Sequence, residues 1–246
     1  HQVLFQERSN IVVGNYRKHQ EPMQVVSGHF GKVKIYFEAP PSTILKHEMQ
    51  EFIKWFNNTA PGKAHEIKAA PLRAAMAHLY FESIHPYEDG NGRIGRIIAE
   101  KALSQTMGYP LLICLSQEIE SKKKLYYSSL EKAQSSNEIT AWLQYFLTIL
   151  IAATKRTDKL LNFVLSKSRF YSKHQDDLNL RQAKLIKRML DEGSDGFKGG
   201  INASKYMKIT KCSKATATRD LQELQHKAIL NKLDAGGRST SYELNL

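Results

Sequence analysis

Cysteine is scarce in this chain, and long apolar runs are missing from it. Only two of the 246 residues are cysteines, Cys114 and Cys212, and they lie in different parts of the chain. Neither belongs to a CxxC pair, which excludes zinc ribbons and thioredoxin-like redox motifs. The longest apolar stretches, such as residues 149–153, are far too short to span a bilayer. We therefore expect no membrane segment, and cytoplasmic residence is the default.

The N-terminus also lacks the basic segment and apolar core of a secretory signal. The first residue is His1 rather than Met. We interpret this as a processed or truncated start.

Acidic residues are too few to balance the basic ones, and the imbalance is concentrated towards the C-terminus. The chain has a net charge of +12, and residues 154–246 hold 19 Lys and Arg against 10 Asp and Glu, a net charge of +9. Such a surplus favours a polyanion or an acidic protein surface as a partner. A solvated lysine-rich surface explains the charge equally well.

The periodicity of apolar residues predicts a mainly α fold with two domains. Residues 23–38 contain two short β-branched and aromatic runs around residues 27–31, which indicates a β-hairpin. Helical spacing follows over five segments. They are a helix with the apolar face Leu45, Met49, Phe52, Ile53 and Phe56, and helices over about 71–84, 93–106, 117–133 and 137–168. We place the first domain at 1–169 and the second at 170–246, because residues 170–178 are polar and aperiodic.

The second domain shows the element order of a small winged helix-turn-helix domain. Helices are predicted over residues 180–192, 202–208 and 213–227, with Ser213 as an N-cap. Two strands, 228–233 and 240–244, then flank a glycine-containing turn. Helix, helix, turn, helix and hairpin is the winged-helix plan.

The most informative segment is the glycine-rich stretch 85–96, His-Pro-Tyr-Glu-Asp-Gly-Asn-Gly-Arg-Ile-Gly-Arg. Residues 90–92 can adopt backbone angles closed to most residues, so several N–H groups can point into one concavity. They precede a helix N-terminus, whose unpaired donors and dipole favour an anion. Arg93 and Arg96 are spaced i, i+3 on that helix, and guanidinium groups suit phosphate oxygens. The segment therefore predicts a polyphosphate site.

Two side chains beside this concavity offer chemistry. Asp89 is a hard oxygen ligand, and Mg²⁺ commonly takes one or two carboxylates and completes its shell with phosphate oxygens and water. His85 precedes the loop, and an imidazole with an unperturbed pKa of about 6.5 can accept a proton at neutral pH. Each feature alone has a plainer interpretation: a core histidine, a tight turn or a solvated arginine face. Their conjunction at fixed spacing favours attack of a hydroxyl on a nucleotide phosphate.

The same segment resembles the signature of the Fic (filamentation induced by cAMP) family, H-x-F-x-[DE]-G-N-G-R-x-x-R, at every position but one. Tyr87 stands where the family has Phe, so an aromatic anchor is retained. The wider region from about Gly14 to Ala153 is similar to a Fic core with a β-hairpin flap, of the type that continues into a C-terminal winged helix. The resemblance implies a protein adenylyltransferase, which transfers AMP from ATP to a hydroxyl side chain of a target protein and releases pyrophosphate.

Residue roles follow from this resemblance. His85 would be the general base that deprotonates the target hydroxyl, and Asp89 would hold Mg²⁺ between the α- and β-phosphates. Tyr126 would border the adenine, with core packing as the competing explanation. The expected nucleotide-binding residues of the loop are Gly90, Asn91, Gly92, Arg93, Ile94, Gly95 and Arg96, with the two arginines at the β/γ end.

The resemblance also bears on the target and on regulation. The hairpin 23–38 corresponds to the family's flap, which holds a target segment as an added strand; a plain structural hairpin is the alternative. Many Fic proteins are restrained by a helix bearing [ST]-x-x-x-E-[GN], and residues 116–121 come closest here but end in Ser121. Whether such a helix precedes His1 stays open at this point. The hypothesis is that, if it does, this fragment is less restrained than its parent.

The partner of the C-terminal domain stays open at this point. Residues Lys211, Lys214, Thr216, Thr218 and Arg219 near its third helix, and Arg238 on the wing, could contact DNA phosphates and bases. Winged helices also bind proteins or dimerise, so a protein partner or a homodimer is an alternative. Three functions are therefore weighed: an AMP transferase, a nucleotide-sensing DNA-binding regulator, and a related phosphate-group transferase or de-AMPylase.

Overall fold

The computed structural model describes residues 1–5, 13–27, 34–233 and 240–246. Their backbone is mainly helical, as the sequence predicts, and it divides into two compact units, His1–Thr157 and Asp158–Leu246. The sequence analysis placed the junction after residue 169, whereas this division falls earlier. Within the described ranges no helix is both long and apolar enough to cross a membrane.

The first unit contains one strand pair and most of the helices. β1 (Gln24–Ser27) and β2 (Lys34–Glu38) are antiparallel, with Gln24 opposite Glu38. The predicted hairpin is thereby confirmed, although residues 28–31 of its turn lie outside the described residues. The helices are α1 (Leu45–Asn58), α2 (Ala70–Ile84), α3 (Asn91–Met107), α4 (Leu115–Ser121), α5 (Lys123–Gln134) and the first part of α6 (Thr140–His174).

Helix α2 is enclosed by its neighbours, because ten of its 15 residues are buried and they lie on all of its sides. Arg73 is fully buried and donates hydrogen bonds to the carbonyls of Phe56 (2.8 Å) and Ala102 (3.2 Å), which tie α1 and α3 to α2. The indole N–H of Trp142 in α6 donates to the carbonyl of Ala75 (2.9 Å). Hydrogen-bonding the polar groups keeps the cost of burying them low.

The helix predicted over 117–133 is in fact two helices. The break falls at Lys122, whose φ of −126° and ψ of 32° lie outside the helical region. Just before it, the Ser121 hydroxyl donates to the carbonyl of Glu118 at 2.8 Å. A side-chain bond of this kind competes with the helical ladder, and serine makes it readily.

Two further details differ from the expected pattern. Helix α6 continues past residue 168 to His174, because Phe170 is only 5 % exposed and packs in the core of the second unit. The four other predicted core residues of α1 are buried, but Ile53 is 48 % exposed and lies beside their stripe.

The second unit follows the predicted order of elements. They are α7 (Leu180–Leu190), α8 (Ala203–Thr210), α9 (Lys214–His226), β3 (Leu230–Leu233) and β4 (Ser241–Leu244). Ser213 caps α9 as predicted, since its hydroxyl accepts from the Thr216 N–H. β3 and β4 are antiparallel, and Ile201 forms a bridge to Tyr242 of β4. Arg238 lies outside the described residues.

Candidate functional site

The predicted loop lies between α2 and α3, and a left-handed residue marks each of its ends. His85 follows α2 with a φ of 49° and a ψ of 59°, and Gly90 precedes α3 with a φ of 87°. Positive φ is uncommon for a residue other than glycine. Two features exclude a side chain at Gly90: its positive φ, and the Phe5 ring, which would lie 2.5 Å from an added Cβ. The chain therefore reverses sharply on leaving α2 and again on entering α3.

Asn91 holds the loop in shape. Its side chain is 2 % exposed; its Oδ1 accepts from the Tyr87 N–H at 2.9 Å and its Nδ2 donates to the Tyr87 carbonyl at 2.7 Å. The amide therefore satisfies both backbone groups of one loop residue. The sequence analysis expected Asn91 to bind phosphate, and the structure shows that its side chain is engaged in bracing, which leaves its backbone N–H for an anion.

The N-terminus of α3 presents backbone donors to the loop. The Ile94 N–H donates to the Gly90 carbonyl at 3.0 Å, so the N–H groups of residues 91–93 precede the helical ladder. No side chain of the described residues caps this end, and the first turn contains no acidic residue. Uncapped N–H groups and the helix dipole together favour an anion at this end.

Asp89 and Arg93 lie at the edge of this site. The Asp89 carboxylate accepts from the Gly90 N–H at 2.6 Å, and its other oxygen lies 3.4 Å from Arg93 Nη2. The Arg93 guanidinium sits 4.2 Å from the centroid of the Phe5 ring, a cation–π contact that fixes its direction. The two charged side chains are 44 % and 40 % exposed, so a ligand from solvent can reach both.

Arg96 points to a different partner from Arg93. Its Nε donates to the Ser116 hydroxyl of α4 at 2.8 Å. Its guanidinium also passes close to Gly92, where an added Cβ would lie 3.3 Å from Nη1. Ser116 therefore orients Arg96 beside the start of α3.

His85 is largely enclosed, with a side chain that is 13 % exposed. Burial lowers the pKa of its imidazole to about 4, so the ring is neutral at physiological pH and able to accept a proton. Its Nδ1 lies 3.8 Å from Oε2 of Glu82, which is one turn earlier on α2 and 5 % exposed. Burial raises the pKa of Glu82 to about 7.

Two residues that the sequence analysis did not single out fix the loop from outside. Arg17 is 2 % exposed; its Nε donates to the His85 carbonyl at 3.0 Å, its Nη2 donates to the Pro40 carbonyl, and its own N–H donates to the Pro86 carbonyl. The His1 ring stacks on Tyr87 at 4.2 Å and contacts the Asp89 carbonyl through Nε2 at 3.1 Å. A lone arginine and a first residue carry no sequence signal of such contacts.

Three predicted nucleotide-binding residues are engaged in packing. Tyr126 is 4 % exposed, and its hydroxyl lies 2.8 Å from Nε2 of the buried His78. Gly95 faces α2 so closely that an added Cβ would lie 2.3 Å from Glu82 Oε1. Ile94 is partly buried against the core. The structure thus gives these residues core contacts, and their roles towards a nucleotide stay predictions.

The residues present suit a magnesium ion only together with a phosphate ligand. No group of three or more His, Cys, Asp or Glu side chains among the described residues could hold a metal. An accessible carboxylate, Asp89, next to the N-terminus of α3 fits the habit of Mg²⁺, which takes few protein ligands and several phosphate and water oxygens.

This chain is similar to a family model, to curated proteins and to a solved structure. Residues 1–103 match the model of the Fic/DOC family. Over 142 residues the chain is 30 % identical to a protein from Aedes aegypti named protein adenylyltransferase Fic, and the match covers 56 % of this chain and 25 % of that protein. The Drosophila melanogaster protein of the same name is 28 % identical over 142 residues, which are 56 % of this chain and 26 % of that protein.

The chain thus spans about a quarter of the length of the curated relatives it matches. Among solved structures, a Fic family protein from Desulfovibrio desulfuricans G20 is matched over 100 % of this chain and 66 % of its own. The sequence identity is 21 % and the TM-score is 0.49.

Proposed function

We propose that this chain, whose residues 1–103 match the Fic/DOC family model, is a protein adenylyltransferase that transfers AMP from ATP to a hydroxyl side chain of a target protein. One observation supports this most directly: the same short loop joins a neutral, enclosed imidazole to an uncapped helix N-terminus. The first group can take a proton from an alcohol, and the second can hold a polyphosphate.

In the proposed reaction His85 accepts the proton of the target hydroxyl. The hydroxyl oxygen then bonds to the α-phosphorus of ATP, and the bond from that phosphorus to the bridging oxygen breaks, so pyrophosphate leaves with the electron pair. The lowered pKa of His85 keeps the imidazole unprotonated at neutral pH, which is the form a base requires.

The start of α3 binds the phosphates in this proposal. Backbone N–H groups of Asn91 and Gly92 point at the anion, and the side chain of Asn91 keeps them in place. Arg93 and Arg96 neutralise the charge that develops on the leaving pyrophosphate. Asp89 would hold Mg²⁺, and the ion when bound would supply further neutralisation of phosphate charge.

The proposed activity is tested with ATP labelled at the α-phosphate, Mg²⁺ and a target extract. We expect label on protein with the wild-type chain, and a rate lower by about 10²- to 10⁴-fold with His85→Ala. The matched control is His47→Ala, an exposed histidine on α1, which should leave the rate unchanged. Transfer of label only from the γ-phosphate would indicate a phosphate-group transferase instead. Removal of AMP from a labelled protein, without any transfer, would indicate a de-AMPylase.

The target segment is proposed to dock on the β1–β2 hairpin. This sheet has two strands among the described residues, so each strand has one edge that pairs with no further strand there, and an extended peptide could add to such an edge. Arg17 connects Pro40, just after β2, with the His85 carbonyl, which supports placing a bound segment close to the base.

Two exposed isoleucines test the docking surface. Ile35 on β2 is 50 % exposed and Ile53 on α1 is 48 % exposed. Ile35→Asp should lower target labelling by about tenfold at unchanged ATP affinity, since about 1.4 kcal/mol of binding corresponds to one decade. Ile53→Asp should have no effect. Equal labelling by the two variants would remove the hairpin from the proposal.

A DNA-binding role of the C-terminal unit is the second candidate, and the distribution of charge on α9 favours it. Both acidic residues of this helix are bonded within the protein: Asp220 accepts from Arg181 at 2.8 Å, and Glu223 accepts from Lys227 at 2.8 Å. The exposed residues of α9 include Lys214, Thr218, Arg219 and Gln222, which are basic or neutral polar. A helix with this face suits the major groove if the unit acts as a winged helix.

DNA binding is measured by fluorescence anisotropy of a labelled duplex over a range of salt concentrations. Arg219→Ala should weaken binding and lower the slope of log affinity against log salt by about one. Lys184→Ala, an exposed lysine on α7, serves as the charge-matched control. An equal loss from both variants, or none from either, would count against α9 as the contacting helix.

A further inference from the structure

Three titratable side chains lie in one stripe on α2 and continue to the loop. His78 and Glu82 are spaced i, i+4 and therefore share a face of α2. His85, the left-handed residue that follows the helix, brings its Nδ1 to 3.8 Å from Glu82. His78 is 0 % exposed and Glu82 is 4 % exposed. Burying titratable side chains costs free energy, so their position behind the proposed base calls for a physical reason.

The polar atoms of this stripe are only partly satisfied. Among the described residues, Nδ1 of His78, Oε1 of Glu82 and Nδ1 of His85 are buried and have no hydrogen-bond partner. Nearly all buried polar atoms of folded proteins have one, so each exception calls for an explanation, and a catalytic role is one such explanation. Nδ1 of His85 lies 3.8 Å from Oε2 of Glu82, and an interaction with the Glu82 backbone carbonyl also raises the pKa of the imidazole against the larger effect of burial.

The fold reserves space for the Glu82 carboxylate. Helix α3 presents Gly95 at this point, and any larger residue would place a Cβ 2.3 Å from Oε1 of Glu82. The carboxylate is thereby held between α2 and α3, next to His85. A separation of 3.8 Å is longer than a hydrogen bond, but catalytic hydrogen bonds are often long before substrate binds and tighten in the complex.

We infer that Glu82 is a positioning residue for His85, in a role that rests on the proposed adenylyl transfer. Its carboxylate accepts the Nδ1–H of His85, so Nε2 carries the free electron pair that takes the proton of the target hydroxyl. The same carboxylate stabilises the imidazolium that forms when the proton arrives. Base and carboxylate thus act in series, as in other enzymes where a buried acid orients a histidine.

The ionisation of Glu82 gives this arrangement a pH dependence. Burial raises the pKa of Glu82 to about 7, and Arg96 of α3 opposes that rise. The other charged or titratable groups at the pair are His78 on α2, Tyr126 on α5 and Arg17 beside His85. Below pH of about 7 the acid is neutral; above it the carboxylate is present while His85 stays neutral. Activity should therefore rise as pH increases through about 7.

The first test compares pH profiles of kcat/KM for the wild type, Glu82→Gln and Glu82→Asp. Glu82→Gln should lose the rise near pH 7 and be slower at pH 8 by about 10- to 100-fold, the usual effect of removing a histidine's supporting partner. Glu82→Asp keeps a carboxylate and should recover part of the rise. A loss that is the same at every pH, or a Glu82→Gln profile like the wild type, would overturn the inference.

The second test needs neither ATP nor a target. The imidazole ¹⁵N shifts of His85, assigned from the spectrum of His85→Gln, should move through about pH 7 in the wild type and stay constant in Glu82→Gln. At pH 8 the wild type should show the Nδ1–H tautomer. If the ¹⁵N signals of His85 do not move near pH 7 in the wild type, the Glu82–His85 pairing is refuted, whatever the activity. If they move in a chain that has no transferase activity, the pairing stands and only the proposed function is refuted.

Discussion

Replacing Asn91 by alanine should destabilise the first unit and weaken nucleotide binding together. The side chain is 2 % exposed and satisfies the N–H and the carbonyl of Tyr87. Asn91→Ala leaves both groups without a partner, at about 1 to 3 kcal/mol for each group that stays buried. Tyr87 is half-buried, so water recovers part of this, and we expect a net loss of about 2 kcal/mol.

The assay combines thermal unfolding with calorimetric titration of a non-hydrolysable ATP analogue. About 2 kcal/mol corresponds to a fall in Tm of about 4 to 8 °C for a unit of the size of His1–Thr157. Nucleotide affinity should fall as well, because the backbone donors of α3 are no longer held. Asn57→Ala, at an exposed asparagine near the end of α1, is the matched control and should stay within about 0.5 kcal/mol of the wild type.

Two outcomes would refute the bracing role of Asn91. An Asn91→Ala chain that melts with the wild type and binds nucleotide equally would show that the amide does nothing essential. A chain with unchanged Tm but lost affinity would instead indicate that the side chain contacts the phosphates directly, as the resemblance implies. Asn91→Asp separates the two bonds further, since it keeps the acceptor for the Tyr87 N–H and loses the donor.

Three further predictions concern stability. Gly95→Ala should cost about 1 to 3 kcal/mol in urea unfolding, because its Cβ would lie 2.3 Å from Glu82 Oε1; an unchanged midpoint would show that the helices can separate freely. Arg73→Met removes the donors that bond the buried carbonyls of Phe56 and Ala102, and it should lower the free energy of unfolding in urea by about 3 kcal/mol. An unchanged free energy would contradict a stabilising role of these hydrogen bonds. Burial raises the pKa of Asp220, but hydrogen bonds, chiefly from Arg181, outweigh it and the net pKa is lowered. The ionised Asp220 therefore contributes stability to the folded state above the unfolded pKa of about 3.8, and this contribution is lost as pH falls through the folded pKa. Asp220→Asn should flatten the acid side of a curve of Tm against pH. An unchanged acid side would contradict the Asp220–Arg181 pairing.

The sequence predicted those features that depend on neighbouring residues. Apolar spacing located α2 and α3, and the Gly-Asn-Gly stretch placed a loop between them. Ser213 was recognisable as a cap because capping needs only the next turn of the same helix. These are local signals, and they sufficed for the element order and for the position of the loop.

Contacts between distant residues escaped the sequence analysis. His1 touches Asp89 across 88 positions, and Arg17 reaches His85 across 68. Nothing in the identity of either residue announces its partner. The break at Lys122 was missed for another reason: apolar periodicity continues through it, and the competing bond of the Ser121 hydroxyl is decided only in the folded chain.

The enclosure of α2 on all sides has a consequence for hydrogen–deuterium exchange. A helix whose neighbours all donate bonds or side chains to it can expose its amides only when the surrounding unit opens, so its exchange should report global unfolding. His85 directly follows the last residue of this helix. The proposed base is therefore attached to the end of a helix that packing holds in place, so we expect the position of its imidazole to be set by folding and to change little when a substrate binds.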